Sequence, residues 1–154
     1  MKRVGLYIEG EICTGCNACQ IACKDAHDLP LGVNLLQIHA GETGENGQIT
    51  VRFRPEGCRH CKNAPCAGAC SRGALFLRGD GTVGYRGDLC DGCGSCREAC
   101  AFGQIYLSGT EPGIYRCDGC YERRLGGGEP VCVLACPVNC LHFSAPAEGE
   151  EVCG

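Results

Sequence analysis

Sixteen cysteines fall into four groups of four, and this repeated spacing limits what the chain can fold into more than any other feature. CTGCNACQIAC supplies Cys13, Cys16, Cys19 and Cys23, and CRHCKNAPCAGAC supplies Cys58, Cys61, Cys66 and Cys70. CDGCGSCREAC follows with Cys90, Cys93, Cys96 and Cys100, and CDGCYERRLGGGEPVCVLAC with Cys117, Cys120, Cys132 and Cys136. Cys140 and Cys153 remain outside the pattern. With 18 cysteines in 154 residues the chain is either a disulfide scaffold or a metal binder, and spacing decides between them.

Disulfides fit poorly. A CxxCxxC run cannot form so many bridges with acceptable geometry, and MKRVGLYIEGEIC lacks the apolar run of a secretory signal. Structural zinc could in principle use the sixteen thiols as four all-thiolate sites. The first and third quartets, however, match the bacterial CxxCxxCxxxC run. There three cysteines hold three irons of a cubane, and the fourth reaches a neighbouring cluster. Four 4Fe-4S clusters on sixteen cysteines are therefore expected, with electron transfer as their use. Pro137 follows Cys136, whereas Lys24, Ser71 and Ala101 stand after the other fourth cysteines. Gly15, Gly92 and Gly119 allow the backbone to turn N–H groups toward sulfur. The apolar supply is thin, with no Trp, one Met and four Phe. The clusters should act as staples, leaving the apo-chain largely unfolded.

The repeating unit reads as loop, short helix of barely one turn, turn and strand, with strands in SRGALFL, AFGQIYL and PVNCLHF. Further strands are expected at 5–9, 35–39, 48–53 and 82–86, the middle two forming an inserted hairpin closed by a loop containing GETGENG. GDGTVG at 79–84 fits a dinucleotide fingerprint in letters only, since it runs into the third quartet, and is read as a turn. His27, His39, His60 and His142 form no metal-ligand pattern; His60, between two ligands, is read as solvent-facing, with a hydrogen bond near a cluster as the alternative. Cys140 is read as a small, partly buried packing residue, and Cys153 carries no assigned role.

The net charge of -4 gives no footprint for nucleic acid. Four oxidised clusters would take it to about -12. Arg52, Arg54, Arg59, Arg72, Arg78, Arg86, Arg97, Arg116, Arg123 and Arg124 are available to offset that charge, with solvated surface arginines as the alternative for each. No apolar stretch reaches membrane-span length, so direct membrane insertion is not expected and the cytoplasm is the default compartment, export with a signal-bearing partner aside.

The four quartets, the fourth split by a long insertion, resemble the iron-sulfur subunits that accompany molybdenum and tungsten pterin enzymes, among them dimethyl sulfoxide, polysulfide and nitrate reductases and formate dehydrogenases. CTGCNACQIACKDAHDLPLGVN is similar to their opening segment, and the resemblance runs from Tyr7 to about Phe143. It implies an α+β fold of two pseudo-symmetric bacterial-ferredoxin-like lobes, each with two clusters, short helices and short β-hairpins. One lobe takes 1–34 plus 110–143 and the other 56–109, with the hairpin 35–55 inserted and a tail at 144–154. It also implies crossed ligation: Cys13, Cys16 and Cys19 with Cys136; Cys117, Cys120 and Cys132 with Cys23; Cys58, Cys61 and Cys66 with Cys100; Cys90, Cys93 and Cys96 with Cys70. No catalytic residue is expected. The chain would relay single electrons between a large molybdenum or tungsten pterin subunit, such as an aldehyde or formate oxidoreductase, and a second redox subunit or soluble carrier. The alternative is a free polyferredoxin serving a hydrogenase or carbon monoxide dehydrogenase. Self-association stays open, with no residue arguing for it.

Overall fold

In the computed structural model, which describes residues 4–145, cysteine-bearing loops alternate with short helices and two-stranded hairpins. The strands are β1 (Gly5–Ile8), β2 (Leu36–Glu45), β3 (Gln48–Gly57), β4 (Leu75–Leu77), β5 (Val83–Tyr85), β6 (Ile105–Leu107), β7 (Ile114–Arg116) and β8 (Leu141–Ser144). The helices are α1 (Ala18–Ala26), α2 (Pro65–Gly68), α3 (Ser95–Glu98), α4 (Tyr121–Leu125) and α5 (Val131–Leu134). Four antiparallel pairs result: β1 with β8, β2 with β3, β4 with β5, and β6 with β7. The β1–β8 pair ties the two ends of the described residues together. No helix among the described residues is long and apolar enough to cross a membrane.

Each quartet turns on one backbone device. The residue before the second cysteine has positive φ in all four: Gly15 (71°), His60 (52°), Gly92 (72°) and Gly119 (70°). That conformation reverses the loop between the first two cysteines of each quartet, and it favours glycine for lack of a Cβ. Gly119 has a second constraint, since a Cβ there would lie 2.7 Å from the Phe143 ring and 3.3 Å from His60 Nε2. His60 holds the glycine place in the second quartet.

Several sequence expectations need correction. Helices α2, α3 and α5 have the single turn expected, but α1 runs nine residues. Its last turn carries Lys24, whose Nζ donates to the Pro30 and Val33 carbonyls (2.7 and 2.9 Å) and so fastens the following loop to the helix end. The insertion in the fourth quartet forms a helix of its own, α4, ended by Gly127 at φ 81°. The inserted hairpin spans 36–57, since β3 runs on to Gly57, and GETGE continues β2 so that the connection shrinks to Asn46-Gly47. Both residues of that connection are left-handed (φ 52° and 78°), as a two-residue hairpin turn requires. Strand β7 has no counterpart among the expected strands. It pairs with β6, so the division at 109/110 falls in the loop of an intact hairpin, and Ile105 and Ile114 share one core.

GDGT at 79–82 is a turn, as expected, and Val83 and Gly84 open β5. The Arg78 N–H donates to the Thr82 carbonyl at 2.7 Å, and the Asp80 carboxylate accepts from the Thr82 N–H and hydroxyl at 3.0 and 2.7 Å.

The core is built around thiols. Leu6, Leu36 and Leu141 pack with Cys19, Cys136 and Cys140; Ala64, Leu75, Val83, Ile105 and Ile114 pack with Cys96; Val33 and Leu35 pack with Cys23. Six of the seventeen buried apolar residues named among the described residues are cysteines, so the apolar core is incomplete unless something joins them. Cys153 and the tail beyond residue 145 lie outside the described residues.

Candidate metal centres

The loops bring cysteines together across quartets as well as within them. Cys58, Cys61 and Cys66 line a cavity of 260 Å³ with Cys100 from the third quartet. Cys90, Cys93 and Cys96 line a second cavity with Cys70, and Cys117, Cys120 and Cys132 a third with Cys23. Cys13 and Cys19 pack in one cluster with Cys136. There the Cys19 thiol is pushed up to about 11, by burial above all, with the charges of Cys136, Cys16 and Cys13 adding to it and the Gln20 N–H opposing.

The four groups adjoin in a line. Cys132 packs against the cluster that holds Cys19 and Cys136, which links the first group to the one around Cys117. Cys58 lines the cavity of the Cys117 group as well as its own. Cys66 and Cys100 share one packed cluster with Cys70, Cys90 and Cys96. At the two ends of the line, Cys16 and Cys93 are exposed.

The chemistry of these donor sets fits a cationic, thiophilic group. Burial above all, then the Cys23 and Cys120 charges, pushes the Cys132 thiol up to about 12. Burial likewise raises Cys117 well above its ordinary value, with Cys58 next among the causes, and raises Cys66 and Cys96. Four thiols so placed cannot all ionise by themselves; iron with sulfide would supply the positive centre that lets them. Backbone N–H groups already point at sulfur: Gly119 to Cys117 Sγ (3.4 Å), Gln104 to Cys100 Sγ (3.4 Å) and Cys140 to Cys136 Sγ (3.3 Å). All seventeen described cysteines are free of disulfides.

Residues outside the quartets shape these sets, and most of them are not evident from the sequence. His60 is not solvent-facing: it is completely buried, its Nδ1 accepts from the Val83 N–H at 3.2 Å, and its ring meets Phe143 edge-on at 5.7 Å. Burial, then the charges of Arg116 and Arg124, lowers it to about 3, so it is neutral. Cys140 is 2 % exposed rather than partly buried, and its Sγ lies 3.4 Å from Cys136 Sγ.

His27 lies 3.6 Å from the Asp118 carboxylate, with the Cys23 and Cys120 sulfurs each 3.9 Å away. The Asp118 hydrogen bond first, then the two sulfurs, raises it strongly. Its spacing of four residues from Cys23 on a helix is the available sequence signal. Of the charge-offsetting arginines, Arg116 reaches a sulfur (Nη2 to Cys58 Sγ, 3.7 Å). Arg52, Arg72 and Arg124 instead pair with Glu11, Asp91 and Asp80, and Arg59, Arg78 and Arg86 lie over aromatic rings.

The sequence is similar to known iron-sulfur proteins. Profiles of two families, both described as 4Fe-4S dicluster domain, match residues 49–145 and 12–74. The sequence is 34% identical over 153 residues to the B subunit of the anaerobic dimethyl sulfoxide reductase of Haemophilus influenzae, covering 94% of this protein and 75% of that one. It is 37% identical over 141 residues to the thiosulfate reductase electron transfer subunit PhsB of Salmonella typhi, covering 90% and 73%. The iron-sulfur subunit of the nitrate-inducible formate dehydrogenase of Escherichia coli is 33% identical over 167 residues, covering 97% of this protein and 57% of that one.

Proposed function

Because this protein belongs to the 4Fe-4S dicluster domain family, we propose that it is the electron-transfer subunit of an anaerobic oxidoreductase complex. It carries four 4Fe-4S clusters and relays single electrons between a catalytic subunit, of molybdenum or tungsten pterin type, and a second redox partner. The observation that carries this reading is the line of four adjoining cysteine groups with exposed Cys16 and Cys93 at its ends.

We assign Cys13, Cys16, Cys19 and Cys136 to one cluster; Cys117, Cys120, Cys132 and Cys23 to the next; Cys58, Cys61, Cys66 and Cys100 to the third; and Cys90, Cys93, Cys96 and Cys70 to the fourth. Two ferredoxin-like lobes follow, meeting where Cys58 approaches the Cys117 group. Each cubane, when bound, takes up and gives back one electron without bond rearrangement. The protein supplies the rest. Its thiolates hold the irons, backbone N–H groups at Cys100, Cys117 and Cys136 polarise the sulfurs, and the packed leucines and isoleucines keep water from the inner sites. Reaction at a substrate is left to the partner, and thiols that must stay reduced until loaded suit the cytoplasm.

Anaerobic gel filtration tests the assignment to a complex. Protein isolated from its native cells is expected to coelute with a larger subunit whose fractions contain molybdenum or tungsten. Elution at the size of a single chain with all its iron present would instead make it a free polyferredoxin.

A further inference from the structure

Arg116 ends β7 one residue before Cys117 and is 8 % exposed. Its Nη1 donates to the Val83 carbonyl at 2.6 Å and its Nη2 to Cys58 Sγ at 3.7 Å. No carboxylate pairs with it among the described residues, although carboxylates are at hand for its neighbour: Arg124 takes Asp80 at 2.7 Å. A guanidinium stays charged in any protein, and burying one without a counter-charge is costly. The group of anionic character that its side chain reaches is the Cys58 sulfur. Arg78 reaches the same Val83 carbonyl at 3.5 Å before turning to the Asp118 carbonyl at 3.2 Å and the Tyr121 ring. Arg116 also lines the cavity that Cys58, Cys61, Cys66 and Cys100 share, so it borders the whole group. That group is the one whose Cys58 abuts the Cys117 group, at the middle of the line.

We propose that Arg116 is a potential-setting residue for the site built on Cys58, Cys61, Cys66 and Cys100, its buried charge favouring the reduced state at the junction between the two halves of the relay. The inference rests on the electron-transfer reading above. One electron arrives at the site and the same electron leaves it; Arg116 neither gains nor loses a proton or an electron. Reduction adds one negative charge beside a fixed positive one in a medium where that charge is poorly screened, so the reduced form is preferentially stabilised. An electron coming from either end therefore meets a favourable landing point in the interior of the line.

The test is an EPR-monitored redox titration of anaerobically prepared holo-protein with Arg116→Gln, Arg116→Lys and the exposed-site control Arg52→Gln. One one-electron step should move to lower potential in R116Q, by roughly a tenfold change in the oxidised-to-reduced ratio at fixed ambient potential, about 59 mV. The step that moves should be the one whose signal Cys100→Ala alters. Arg116→Lys should restore most of the shift, and R52Q should leave all four steps in place. Equal shifts in R116Q and R116K, no shift, or a common shift of all four steps would overturn the inference while leaving the relay intact. If R116Q cannot assemble the site, iron per chain decides. Full loading of R116K supports a charge effect, and equal loss in both variants refutes it. Wild type without iron-sulfur signals would bring down both this inference and the reading beneath it.

Discussion

Stripping iron from the holo-protein with a chelator, anaerobically and with thiols kept reduced, is expected to unfold most of the chain. Each of the three apolar clusters has cysteine among its buried members, and each hairpin is only two strands wide. A two-stranded hairpin is marginal in water without further packing. Metal-thiolate binding in small domains contributes on the order of 10 kcal/mol, comparable to the whole net stability of about 5–15 kcal/mol typical of a folded domain. The apo-protein would also hold crowded, buried thiols whose ionisation nothing offsets. Far-UV circular dichroism should lose most of its native signal, and heating should show no cooperative transition. Retention of a sharp thermal transition after complete iron removal would mean that the apolar clusters suffice, and that the metal is a passenger in the fold.

The second large effect separates crossed from local ligation. Cys136→Ala, although in the fourth quartet, should abolish the same one-electron step as Cys13→Ala, and Cys23→Ala the same step as Cys117→Ala. Each variant should lose about a quarter of its iron, or retain a three-iron remnant with an altered EPR signal. The reason is geometric: Cys136 packs in one cluster with Cys19 and Cys13, whereas Cys23 lines the cavity of Cys117, Cys120 and Cys132. Cys140 sharpens the experiment. At 3.4 Å from Cys136 Sγ it is the nearest spare thiol, so the Cys136→Ala, Cys140→Ala double variant is the clean comparison. If Cys136→Ala instead reproduced Cys117→Ala, each quartet would be feeding its own site and the crossed assignment would fail.

Much of this architecture is legible from cysteine spacing because the pattern states both the ligand type and the loop geometry. The strands after the second, third and fourth quartets, and β1, also appear where alternating apolar residues place them. What the sequence conceals is of four kinds. Strand β7 is three residues long and carries no turn signal beyond Pro112-Gly113, so only its pairing with β6 defines it. His60 looks like a surface histidine because a left-handed position between ligands ordinarily belongs to glycine; the structure keeps that backbone and packs the ring under Phe143. Arg116 and Cys58 are 58 residues apart in sequence, and nothing local distinguishes Arg116 from ten other arginines. The glycine-rich GETGENG segment has the composition of a loop, whereas the strand pairing extends through GETGE until the Asn46-Gly47 turn supplies the reversal.

The most direct test of the account is the content of iron, acid-labile sulfide and zinc per chain in anaerobically purified protein. Four cubanes on sixteen thiolates predict about sixteen iron and about sixteen sulfide per chain, with zinc negligible. About four zinc per chain with no sulfide would satisfy the same cysteines as closed structural sites and would contradict electron transfer altogether.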